Sequence, residues 1–77
     1  MQDESQRDPI SDGPLDEAPL GLTKPSTQHA VLLAELDSAG VQLGSYDRLI
    51  VGWLANLDYA TVATIASLIR RAARTAD

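Results

Sequence analysis

The sequence predicts an all-α fold, a small three-helix bundle behind a disordered acidic N-terminal tail. Three observations carry that expectation. All four prolines and six of the eleven acidic residues fall within the first 25 positions. Beyond them, apolar residues recur at helical spacing, most plainly Tyr46, Leu49, Ile50, Trp53, Leu54 and Leu57, which is the i, i+3, i+4, i+7 pattern of an amphipathic helix. Finally, Gly40, Gly44 and Asp58 break the apolar pattern into three runs, as caps and turns do.

The tail, residues 1–25, scatters its apolar side chains singly among prolines, glycines and acids. Such a composition buries too little surface to offset chain entropy, so no regular structure is expected there. Its simplest role is a solubilising arm or linker. A sharper role is a short docking segment in "PLDEAPLGL", with Leu15, Leu20 and Leu22 as its anchors.

The helical domain is expected over residues 26–77. Ser26 or Thr27 can cap the first helix, spanning about 27–39, because a side-chain oxygen satisfies an otherwise unpaired backbone N–H. Leu32, Leu33 and Leu36 form its apolar face, and Gly40 suits the left-handed position just past its end. Ser45 opens the second helix, about 45–56, with Asp47 in the positive first turn. Its large apolar stripe is expected to face the core, with Trp53 as the anchor. Asp58 caps the third helix, about 59–75, whose inward set is Val62, Ile65, Ala66, Ile69 and Ala73. The β-branched Thr61, Val62, Thr64 and Ile65 weaken helix formation slightly, and the alanines and the spacing outweigh them. Arg70, Arg71 and Arg74 lie in the last turns, where positive charge complements the helix dipole.

Composition narrows the function classes. The chain has 77 residues and a net charge of −5, enough for one small domain, and an acidic protein is repelled by phosphate backbones unless its cations share one face. Cysteine is absent, which removes disulfides and thiolate metal sites. The acidic start does not read as a secretory signal. The longest apolar run, "LIVGWLANL", is far short of the roughly 20 residues that span a bilayer. A cytoplasmic, non-membrane protein is the expectation.

Catalysis finds no support in the residues. His29, the single histidine, lacks a nucleophile and an orienting group in the sequence around it. Asp47 and Asp58 are explained by two helix starts. "SAGVQLGS" lacks the lysine and preceding strand of a phosphate-binding loop, and the metal-ligating residue types are too few. No catalytic residue, metal or cofactor is expected.

A core this small is marginal without a disulfide or a metal, which makes a protein partner or a homodimer attractive. The candidate contact residues are Arg48, Val51, Gly52 and Ala55, on the side of the second helix away from Trp53, then Leu68 and Arg71 on the third. Gly52 inside a helix costs about 1 kcal/mol relative to alanine, and close approach of another helix, within or between molecules, would justify it. The expected function is that of a small non-catalytic intracellular adaptor or regulator, acting by helix-mediated protein binding or self-association. The alternative is a helix-turn-helix-like transcriptional regulator using the third helix, with Thr61, Thr64, Arg70, Arg71 and Arg74 toward nucleic acid. Its short, glycine-free connection around Leu57 and Asp58 and the length of the second helix argue against that motif.

Residues 43–72 carry a resemblance. An Asp-Arg pair (Asp47, Arg48), a Trp-Leu-Ala run (Trp53, Leu54, Ala55), an acidic turn at Asp58, and a Thr-Val-Ala helix (Thr61, Val62, Ala63) ending at Arg71 follow in order. The segment resembles one in small helical proteins of high-GC actinobacteria and their phages or mobile elements. The resemblance implies a cellular context and brings no mechanism with it.

Overall fold

The structure, a computed structural model, describes residues 10–75. They form three helices, α1 (Pro25–Ser38), α2 (Ser45–Leu54) and α3 (Tyr59–Thr75), with no strand among the described residues. The expected small three-helix bundle is what the chain forms. Before α1, residues 10–24 run as an irregular strap across the bundle. The first nine residues of the expected tail lie outside the described residues.

Each helix boundary has a local cause. α1 begins two residues earlier than expected. Its N-cap is Lys24, which makes no side-chain cap bond, and Pro25 occupies the first turn. Proline is preset for that position and its missing N–H costs nothing there. Ser26 and Thr27 are therefore inside the helix and not its caps. At the other end Gly40, with φ 78°, closes a Schellman motif. Its N–H donates to the Asp37 carbonyl and the Val41 N–H to the Leu36 carbonyl, each at 3.0 Å.

At α2 the N-cap is Gly44, whose N–H donates to Asp47 Oδ2 at 2.8 Å. α2 ends at Leu54, two residues short of the expected span, because the chain tightens. The Asn56 N–H reaches Trp53 and the Leu57 N–H reaches Leu54, at 3.1 and 3.0 Å, the i→i+3 spacing of a 3₁₀ turn. Asp58 then caps α3 as expected. The Thr61 hydroxyl donates to Oδ1 at 2.7 Å and the Thr61 N–H to Oδ2 at 3.1 Å. These bonds, the hydroxyl's first, hold the Asp58 carboxyl below its ordinary value.

Packing centres on α1 and α3, while α2 leans on α1 and barely meets α3. The core is Leu32 from α1, Val51 and Ala55 from α2, Val62, Ala63 and Ala66 from α3, and Ile10 from the strap. Ile10, which composition places in the tail, is thus a core residue. The small side chains of α3 let α1 come close, since cores are packed to the density of organic crystals.

The expected core face of α2 is the main correction. Trp53 is 61% exposed, Leu49 65% and Tyr46 72%, whereas Val51 and Ala55 are buried. At 100° per residue the helix is turned by roughly one residue step from the expected orientation. Gln28 fastens the observed orientation. It is buried on α1, and its amide donates to the carbonyls of Ala55 and Leu57 at 2.8 and 2.9 Å while accepting from the Thr23 hydroxyl at 2.8 Å. These bonds go with an orientation in which the small Ala55, and not the indole of Trp53, is buried.

Two further polar contacts join the strap to the helices. The Ser67 hydroxyl, fully buried, donates to the Ser11 carbonyl at 2.9 Å. Arg70 sits at the junction of three elements. Its Nε and Nη2 donate to both carboxylate oxygens of the buried Glu35 on α1, and its Nη1 donates to the Ile10 carbonyl at 2.9 Å and Asp12 at 3.4 Å. No buried side-chain nitrogen or oxygen among the described residues lacks a partner.

Two measurements check this packing. In urea unfolding followed by circular dichroism, Leu32→Ala should cost about 2–5 kcal/mol, and Trp53→Ala should change stability by no more than about 0.5 kcal/mol. If Trp53→Ala unfolds the domain, α2 is oriented as the sequence alone suggested. Glu35→Ala should cost about 3 kcal/mol, because it strands a largely buried guanidinium; a loss under about 1 kcal/mol would make the pair no better than a surface one.

Candidate protein-docking surface

The turn of α2 puts its largest side chains outside. Tyr46, Leu49 and Trp53 project from one face, with Ile50 half-buried between them and the core. Beside this face runs an apolar groove, opened because α2 and α3 do not close on each other. Leu36 of α1, Val41 and Leu43 of the α1–α2 connection, Leu54 of α2, and Ile65 and Ile69 of α3 line it, with Asp47 at its rim. Val41 is itself exposed although it belongs to the Schellman motif. Exposed apolar patches of this kind on small soluble domains mark interaction sites more often than chance exposure.

The residues expected to make contacts do not gather on one surface. Val51 and Ala55 are in the core, so they are not available to a partner. Arg48 is exposed on α2 and Leu68 on α3. Arg71 is half-buried and donates its Nε to Ser67 Oγ at 3.1 Å. A Cβ on Gly52 would meet nothing within 4 Å, so no helix of this chain approaches it. Close packing within the molecule therefore does not account for that glycine.

The nucleic-acid candidates are dispersed as well. Arg70 is taken up by Glu35, Asp12 and the Ile10 carbonyl. Arg74 is exposed, with Nη1 3.6 Å from Asp12. At the start of α3, where a recognition helix would present base-reading side chains, Thr61 is bonded to the Asp58 carboxylate and the Thr64 hydroxyl donates to the Ala60 carbonyl at 2.8 Å. A carboxylate at that end repels phosphate.

The expected docking segment in the strap is partly exposed. Leu20 and Leu22 are more than nine-tenths exposed, while Leu15 is half-buried. Gly21 lies between the two exposed leucines with φ 150° and rests on Tyr59, where a Cβ would come within 2.9 Å of the ring. Among the described residues no cluster of histidine, cysteine or acids has the makings of a metal site, and no helix is long and apolar enough to cross a membrane.

Comparison with protein-family models, curated proteins and solved structures finds no match to this chain.

Open space beside Gly52 makes a specific expectation. Gly52→Ala should stabilise the domain by about 0.5–1 kcal/mol, since alanine loses less backbone entropy in a helix. In a thermal melt that is a rise of several degrees, at about 4–8 °C per kcal/mol for a domain this small. A fall in melting temperature would mean that the site is not open.

Proposed function

We propose that this protein is a small non-catalytic intracellular adaptor or regulator that binds another protein chain through the apolar face of α2 and the groove beside it. The observation that supports this most directly is the exposure of Tyr46, Leu49 and Trp53 together on a helix whose core contacts are already satisfied by Val51 and Ala55. Aromatic side chains of this size are the commonest anchors of protein interfaces. The groove supplies the concave element that receives an amphipathic helix or an extended apolar segment. The interior polar groups support a structural domain over a catalytic one, because Gln28, Glu35, Ser67 and Arg70 are each engaged in joining one element to another.

The DNA-reading alternative loses support from the same surface. Its arginines are paired with carboxylates or a neighbouring hydroxyl, and the face most free to bind carries no cation but Arg48 at its edge.

The test is photo-crosslinking in extract from the source cells. A benzophenone side chain at position 49 should yield protein adducts that persist in high salt, because an apolar interface is little screened. The same group at Ala34, exposed on α1, should yield none. Adducts that are equal from both positions, or that vanish with modest salt, would remove α2 as the docking face.

A further inference from the structure

We infer that the occupant of the α2 face is a second copy of this chain, docked antiparallel across a two-fold axis. This rests on the docking face proposed above and names its partner.

The order of side chains along α2 carries the inference. The outward set is Tyr46, Leu49 and Trp53, joined by the half-buried Ile50 beside them. It is symmetric about the midpoint between Leu49 and Ile50, with aliphatic residues inside and an aromatic at each end. In an isologous interface residue i of one copy meets residue j of the other, and j meets i in return. Antiparallel docking about that midpoint places Leu49 against Ile50 of the second copy and Tyr46 against its Trp53. Both aromatic pairs form at once, and aromatic pairs add to the area that they bury. A partner of unrelated sequence would require no such palindrome.

Charge favours the same arrangement. At a net −5 two copies repel each other wherever acidic surfaces meet. Asp47 and Arg48 are the only charged residues of α2, and they cancel. Asp47 is moreover already hydrogen-bonded to the Gly44 N–H. In antiparallel register the positive N-terminus of one helix also lies beside the negative C-terminus of the other.

Area sets the strength. Tyr and Trp carry roughly 150–250 Å² each, and here they are 72% and 61% exposed. With Leu49, Ile50 and Val41, the face offers on the order of 500 Å² per copy, using the same per-residue areas. About 1,000 Å² in total belongs to weak, reversible associations and not to obligate dimers. The expected dimer therefore forms with a dissociation constant in the micromolar range or above, on the order of 1–100 μM.

Trp53 is the one tryptophan of the chain and lies in the proposed interface, so its emission reads the contact directly. The experiment is sedimentation velocity with parallel fluorescence, from about 1 μM to about 1 mM, a range that brackets so weak a dimer. The mass should rise from 8.2 kDa toward twice that value, and the emission should shift to the blue with the same midpoint. Leu49→Glu should weaken association at least about 30-fold, the size of a hot-spot loss, and Tyr46→Lys should do likewise. Both sites are exposed, so the helical signal and the melt of the dilute protein should be kept. Leu68→Glu, on α3 outside the palindrome, should leave the midpoint where it was. A monomer throughout the range, or a dimer indifferent to both α2 substitutions, overturns the inference. The crosslinks from position 49 to another protein would survive the first result, so failure of the dimer and failure of the docking face are told apart.

Discussion

The guanidinium of Arg70 is the contact on which most of the bundle depends. The main packing surface is that of α1 on α3, to which α1 brings Leu32 and α3 brings Val62, Ala63 and Ala66. Arg70 supplies the register. Its planar fork matches the carboxylate of Glu35 oxygen for oxygen, a geometry that ammonium groups do not offer. The desolvation of such a pair is compensated only when its remaining donors also find partners. Here they find the Ile10 carbonyl and Asp12. One side chain thus sets α1 against α3 and draws the strap over both.

Around that contact the other buried polar groups follow a common plan. Gln28 and Glu35 flank Leu32 on one stripe of α1, so the most buried side of that helix is two parts polar to one part apolar. Gln28 ties α1 to the end of α2, Glu35 ties it to α3, and Ser67 ties α3 to the strap. Directional bonds hold the elements, and comparatively few large apolar residues are needed in the centre. The remainder of the large apolar set is then free to lie outside, on α2. The exposed face and the polar interior are two aspects of one allocation of side chains.

The helices were legible in the sequence because capping chemistry and spacing are local. Gly40, Asp47 and Asp58 act as their residue types imply, and α3 has its expected span. Pro25 is legible as a first-turn residue, and Ser26 and Thr27, whose type suits a cap, fall inside the helix. What could not be read locally was the direction that α2 faces. Periodicity identifies an apolar side, and on α2 apolar residues cover so much of the circumference that the largest of them set the expectation. The observed orientation is fastened by Gln28, twenty-seven positions from the carbonyl of Ala55, and a glutamine gives no sign in sequence of which backbone it will seek. For the same reason Tyr46, Leu49 and Trp53, expected in the core, are exposed, while Val51 and Ala55, expected on the outer stripe, are core. Ile10 gives no core signal in sequence because a lone apolar residue among prolines and acids has no periodic company.

The strap also bears on how the molecule opens. Residues 10–24 form no helix or strand, and side-chain bonds of Thr23, Ser67 and Arg70 hold them to the rest. Such a segment belongs to the low-stability end of a structure. Transient openings of this protein would peel the strap from α3 and bare the seam of Val62, Ala63 and Ala66 while the three helices stay formed.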